Sequence, residues 1–173
     1  SRIEEYDELT MILRRNFRVL VLDFPGSGYS DKPDRAYSIA FYVRTLIGFL
    51  DALHVDKCYL FGASLGGNVA LRAALLAPDR FPRLVIAAPG GAWPSSPFSA
   101  SVIRTFGGPT IFWPTVMVQS SYLYRPDWEK QETMKQQTMI YYEEIMSSGF
   151  MRMYWDLVAE QIESSLFDMV GKV

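Results

Sequence analysis

The sequence predicts an α/β fold in which a parallel sheet is flanked by helices, and three observations carry that expectation. Short, nearly uninterrupted apolar runs at residues 17–24, 58–61 and 84–88 have the length and composition of strands buried on both faces. Apolar residues at helical spacing fill the segments between these runs. The second run leads through Gly62-Ala63-Ser64-Leu65-Gly66-Gly67 directly into the alanine-rich residues 68–77, which reads as strand, sharp turn and helix.

Bulk properties set the frame. A chain of 173 residues can bury a sizeable core as one domain. A content of 49% hydrophobic and 21% charged residues is that of a globular protein. Seventeen basic residues against nineteen acidic ones leave a formal charge of −2, so neither nucleic acid nor an anionic membrane surface is an expected partner. No apolar run approaches the roughly 18 residues of a membrane span, because Asp23, Asn68 and Arg72 cut the greasiest stretches. Cys58 is the single cysteine, so no internal disulfide framework exists. A reducing compartment is therefore allowed, and the cytoplasm is the expected location. One histidine and one cysteine offer no metal-ligand cluster, and no cofactor is expected.

Taken in order, residues 2–15 place Ile3, Tyr6, Leu9, Ile12 and Leu13 near helical spacing, predicting an amphipathic helix closed by Arg14 and Arg15. The apolar run 17–24 follows as a buried strand. After it, Gly26-Ser27-Gly28 invites comparison with dinucleotide-binding turns. A third glycine is absent, however, and Asp31-Lys32-Pro33-Asp34 breaks the chain where a helix would have to open. Ser38 is the expected N-cap of a helix over 39–53, with Val43, Leu46, Ile47, Leu50 and Leu53 on one face. Pro78 marks the end of the alanine-rich helix, and the run 84–88 ends at Pro89-Gly90-Gly91.

From Ala92 aromatics crowd a proline-interrupted segment, read as loop and short helices. Two longer helices are expected over 127–147 and 149–170. The second should bury a stripe of Met151, Tyr154, Trp155, Val158, Ile162 and Leu166. The expected organisation is thus a sheet-and-helix core at 1–91 and a helical segment at 92–173.

The chemistry-bearing feature is Gly-x-Ser-x-Gly. A serine at a strained strand-to-helix turn has its hydroxyl pushed out above the sheet, with Gly62 and Gly66 expected where a Cβ would collide. Ser64 is the candidate nucleophile. The Leu65 backbone N–H, opening the helix, is the candidate donor to a developing oxyanion. The plainer alternative is a glycine-rich turn whose serine caps a helix. His54, the only histidine, precedes the strand that leads to Ser64. It is expected at the opposite strand end, roughly 15 Å away at about 3.3 Å per residue, out of reach for a general base. Cys58 is expected to be a buried small hydrophobe rather than a thiol nucleophile.

Asp23-Phe24-Pro25-Gly26-Ser27-Gly28-Tyr29-Ser30-Asp31 after an apolar run, followed by Gly62-x-Ser64-x-Gly66-Gly67, resembles the α/β-hydrolase fold superfamily across residues 3–91. That resemblance implies a partial α/β-hydrolase fold with a helical cap at 92–173 and a supporting role for the 23–31 loop. It further implies a serine hydrolase acting on a small apolar ester, thioester or related acyl substrate, with a carbon–carbon bond hydrolase also possible. The family has about eight strands, against three legible here. The strand carrying the second oxyanion donor and the strands delivering the acid and histidine are not legible, and Ala88-Pro89-Gly90 offers no carboxylate after its strand.

Two readings follow. In the first, the 173 residues are the middle of a longer hydrolase and have little activity alone. In the second, they are a complete binding or scaffold module that has lost the catalytic apparatus. Unpaired strand edges on both sides of a gap weigh against the second.

Overall fold

The computed structural model describes residues 3–107 and 148–170. The chain forms two compact units, Ser1–Arg35 with Pro109–Met153, and Ala36–Gly108 with Tyr154–Val173.

In the first unit, a 3-10 turn at Ile3–Tyr6 leads into α1 (Asp7–Leu13). This helix is shorter than the amphipathic pattern suggests, and none of its residues is buried. The expected strand over 17–24 is not formed: these residues adopt no regular secondary structure, and Phe17, Leu20 and Val21 are exposed. Apolar composition suits a strand, but a strand exists only by exchanging ladder hydrogen bonds. Among the described residues no strand pairs with this segment, and the described sheet holds β1 and β2 only.

The following loop is internally bonded. The buried Asp23 carboxylate accepts the Tyr29 N–H at 3.0 Å, the Ser30 hydroxyl donates to the Asp23 carbonyl at 2.5 Å, and Gly26 N–H reaches Asp31 O at 2.8 Å. Gly28 has φ 54°, and a Cβ there would overlap the Asp23 carboxylate, so only glycine fits this turn.

The second unit holds the sheet. Ser38 takes the Phe41 N–H on its side chain at 3.1 Å and starts α2 (Ile39–Ala52), as its sequence position predicts. The helix buries Ile39, Tyr42, Val43, Leu46 and Leu50, while Leu53 falls outside it and is exposed. β1 (Tyr59–Ala63) is followed by α3 (Leu65–Leu76), a 3-10 turn at Pro78–Arg80, and β2 (Arg83–Ala87). β1 and β2 pair in parallel, in register from Tyr59 with Arg83 to Ala63 with Ala87.

α3 packs on both strands and on α2. Its buried Val69, Ala70, Ala73 and Ala74 let it lie close. A Cβ at Gly67 would stand 2.9 Å from Ile86 Cγ2, so glycine sets the helix-to-sheet spacing. On the other face of the sheet Tyr59, Phe61 and Val85 are exposed.

Beyond β2, Ser96 caps α4 (Pro97–Phe106) by accepting the Ser99 N–H at 3.3 Å. α5 (Ser148–Glu163) and α6 (Phe167–Val170) replace the single helix expected over 149–170. The break has a local cause. Ser164 Oγ donates to Glu160 O at 3.0 Å and Ser165 Oγ accepts the Phe167 N–H at 3.1 Å, bonds that compete with helix continuation.

The buried face of α5 is also rotated from expectation. Phe150, Met153, Leu157, Ala159 and Gln161 are buried, whereas Met151, Tyr154, Trp155, Val158 and Ile162 are half-buried. Polar side chains tied to neighbouring elements, described below, decide the facing. The helix expected over 127–147 lies outside the described residues. No helix among the described residues is long and apolar enough to cross a membrane.

Candidate active site

Ser64 joins β1 to α3 with φ 51° and ψ −122°, a left-handed conformation that a residue with a Cβ adopts only under constraint. The constraint is visible in its backbone hydrogen bonds. Its N–H donates to Ala87 O at 3.0 Å, and its carbonyl accepts from Gly67 N at 3.0 Å, Asn68 N at 3.3 Å and Gly90 N at 2.9 Å. The end of β2, the loop after it and the first turn of α3 thus all converge on one residue.

Ser64 occupies the N-cap position of α3, but its side chain makes no capping bond to the helix. It is exposed, and its hydroxyl has no hydrogen-bond partner among the described residues. Leu65 is the first helical residue, and its N–H is one of the orphan donors at the positive end of α3. It too has no acceptor among the described residues.

The glycines divide the work differently from the expectation. A Cβ at Gly62 would overlap the Gly66 carbonyl oxygen, so the collision argument holds there. At Gly66 a Cβ would meet nothing within 4 Å, and the second tight position is Gly67, whose Cβ would stand 3.1 Å from both Gly62 O and Pro89 Cβ. Folding the chain back on itself brings the helix backbone at 66–67 against the strand at 62; the outward side of Gly66 stays open.

Behind the turn lies a polar chain that the sequence reading did not assign. Asn68, completely buried, donates through Nδ2 to Gly90 O at 2.7 Å. Its Oδ1 accepts from Arg72 Nε at 2.8 Å, and Arg72 Nη2 donates to Ser164 Oγ at 2.8 Å. Burial lowers the Arg72 pKa, and the Glu160 charge opposes that. The link Arg72–Asn68–Gly90–Ser64 ties α3 and the end of α5 to the loop that grips the serine peptide. Two polar residues at i, i+4 inside an otherwise apolar alanine helix were the available signal.

His54 sits exposed with φ 54° after α2, before the start of β1, its N–H bonded to Asp51 O at 3.0 Å. The structure therefore does not bring it together with Ser64, which follows the far end of that strand. Cys58 is half-buried, and burial pushes its thiol up while the Arg80 guanidinium pulls it down.

Known proteins bear on this geometry. The sequence model of the alpha/beta hydrolase fold matches residues 8–113. RutD of Pseudomonas syringae pv. syringae, whose name marks carbamate hydrolysis as its proposed activity, is 37% identical over 130 residues, 70% of this chain and 48% of that protein. A 2-hydroxymuconate semialdehyde hydrolase of Pseudomonas sp. strain CF600 is 36% identical over 96 residues, 55% of this chain and 33% of that protein. Among solved structures, a hydrolase from Pseudomonas aeruginosa superposes with a TM-score of 0.73 at 21% identity, covering all of this chain and 64% of the other. The chain spans about half the length of the first relative and a third of the second. With the family match over residues 8–113 and a parallel sheet flanked by helices, the chain belongs to the α/β-hydrolase fold family, a family of enzymes whose relatives named here are hydrolases.

Proposed function

We propose that Ser64 is the nucleophile of a serine hydrolase that cleaves an ester, thioester or related acyl bond. The single observation that carries the reading is the strained, exposed Ser64, held by three elements with its hydroxyl left unspent. Strain of this kind costs about 1–3 kcal/mol and persists where the surroundings over-determine it.

In the proposed reaction Ser64 Oγ attacks the substrate carbonyl carbon while a general base takes its proton. The tetrahedral oxyanion accepts a hydrogen bond from the Leu65 N–H. Collapse expels the leaving group, which receives that proton, and leaves an acyl-serine; water then releases the acid and regenerates the hydroxyl. His54, at the other end of β1, is badly placed to be that base.

The helical segment 92–173 serves as a cap whose aromatics shape an apolar pocket for a small substrate, and the cytoplasm is the proposed location. The relationship to a 2-hydroxymuconate semialdehyde hydrolase supports a carbon–carbon bond hydrolase as the variant reading, with the same serine attacking a ketone carbonyl. The test is turnover of 4-nitrophenyl esters by the protein at its natural length. Ser64→Ala should lower kcat/KM by about 1,000-fold or more, and an unchanged rate would remove Ser64 from the chemistry.

A further inference from the structure

β1 and β2 are in register as far as Ala63 and Ala87, and the next residue of each strand leaves the sheet in the same way, Ser64 with φ 51° and Ala88 with φ 41°. Both hold a Cβ in the left-handed region, where it crowds the backbone. Ser64 is kept there by the bonds of its own N–H and carbonyl, one of them from the Gly90 N–H at 2.9 Å. Ala88 is exposed, so its methyl gains no burial to offset the strain. The 88–91 loop must be held in shape by the residues that follow Ala88.

Asn68 is placed to hold them. It is completely buried, and its Nδ2 donates to the Gly90 carbonyl at 2.7 Å, so Gly90 is gripped by Asn68 at one end and by the Ser64 carbonyl at the other. The amide faces the right way because Arg72 Nε donates to Oδ1 at 2.8 Å, which leaves the NH2 group for the loop. A Cβ at Gly91, φ 88°, would stand 2.9 Å from Nδ2, so glycine permits the close approach. The Leu166 N–H secures the far side of the loop at Gly91 O, 2.9 Å away.

We propose that Asn68 is a positioning residue for the acyl transfer: through Gly90 it holds the strained 88–91 loop against the Ser64 carbonyl and so aims the Ser64 hydroxyl and the Leu65 N–H at one substrate carbonyl. It touches no reacting atom. Without its donor, Ala88 relaxes toward an ordinary backbone conformation and the Gly90 N–H withdraws. The turn then loses a bond that keeps the Leu65 N–H pointed where negative charge develops. Ground-state binding depends little on that aim, so the loss falls on kcat rather than KM. This assignment rests on Ser64 and Leu65 acting as proposed above.

The test measures kcat and KM on a 4-nitrophenyl ester with the protein at its natural length. Asn68→Asp keeps the size and the acceptor for Arg72 and removes only the donor to Gly90. Its kcat should fall by about 10-fold to 100-fold, the effect of a small misplacement, with KM within about twofold. Ser38→Ala, which weakens the α2 cap and shares no hydrogen bond with the loop, should leave kcat unchanged. Ala88→Gly added to Asn68→Asp should restore kcat by about fivefold or more, because glycine adopts a positive φ without strain. A kcat in Asn68→Asp within about twofold of wild type overturns the proposal, as does an equal fall in Ser38→Ala or a loss that Ala88→Gly leaves in place. Should Asn68→Asp fail to fold, Asn68→Ser, whose hydroxyl is too short to reach Gly90 O, is read by the same criteria. Fluorophosphonate labelling separates the causes: wild type labelled on Ser64 with kcat indifferent to Asn68 sinks the positioning role alone, whereas wild type with neither turnover nor label sinks the serine reading with it.

Discussion

The Glu160 carboxylate accepts the Ile39 backbone N–H at 2.7 Å, so a side chain of α5 occupies the N-terminus of α2. One turn earlier on the same helix, Asp156 Oδ2 takes the Tyr37 N–H at 3.1 Å. Together with Ser38, Glu160 satisfies donors that α2 cannot pair internally, at the end where its dipole favours negative charge, while Asp156 holds the residue just before the cap. Glu160→Ala should therefore destabilise the protein by about 1 kcal/mol, read from the midpoint of urea unfolding. An unaltered midpoint would mean that water caps this helix equally well.

The glycines of the turn should respond in opposite directions. Gly66→Ala adds a methyl in open space on a helix and should stabilise by roughly 0.5–1 kcal/mol. Gly62→Ala drives a methyl into the Gly66 carbonyl and should cost several times that, or prevent folding. Thermal melts of the two variants, made side by side, check the contrast; equal shifts would contradict the assigned geometry.

Asn68→Ala should cost about 2 kcal/mol or more, because it strips a partner from the Gly90 carbonyl and from Arg72 at once. Arg72→Met should be milder, since Arg72 is only half-buried and its loss unpairs one buried acceptor, Asn68 Oδ1, whereas Asn68→Ala unpairs two groups. Denaturant unfolding orders the two, and a larger loss for Arg72→Met would show that the guanidinium, rather than the amide, is the keystone.

Burial holds the Cys58 thiol pKa above its ordinary value. A raised folded-state pKa favours the neutral thiol, so the associated stability is complete below the unfolded-state pKa and disappears as pH rises through the folded one. Iodoacetamide should accordingly alkylate Cys58 more slowly in the folded protein than in urea near neutral pH, with the rate rising at a higher pH. Coincident pH profiles would contradict this.

Much of the fold and part of the candidate site can be read from residues, and the reasons differ by element. The turn at Ser64, the cap at Ser38 and the stop before Pro78 depend on chemistry within a few residues, and the structure has them where the pattern puts them. The 17–24 segment has strand composition but no partner strand among the described residues, and strand pairing is not a local property. The facing of α5 departs from the apolar periodicity, which gives Asp156, Glu160 and Gln161 to solvent, because the Tyr37 and Ile39 N–H groups and Gly90 draw them inward. Gly66 and Gly67 exchanged roles for a similar reason: the motif names the spacing, and only the approach of Ile86 and Pro89 shows which hydrogen cannot become a methyl.

The most direct test of the central claim is fluorophosphonate labelling of the protein at its natural length, followed by mass mapping of the modified peptide. The account predicts one adduct, on the peptide carrying Ser64, absent from Ser64→Ala. An unlabelled Ser64 in folded protein, or an adduct on another residue, would contradict it and leave the strained turn as inherited architecture.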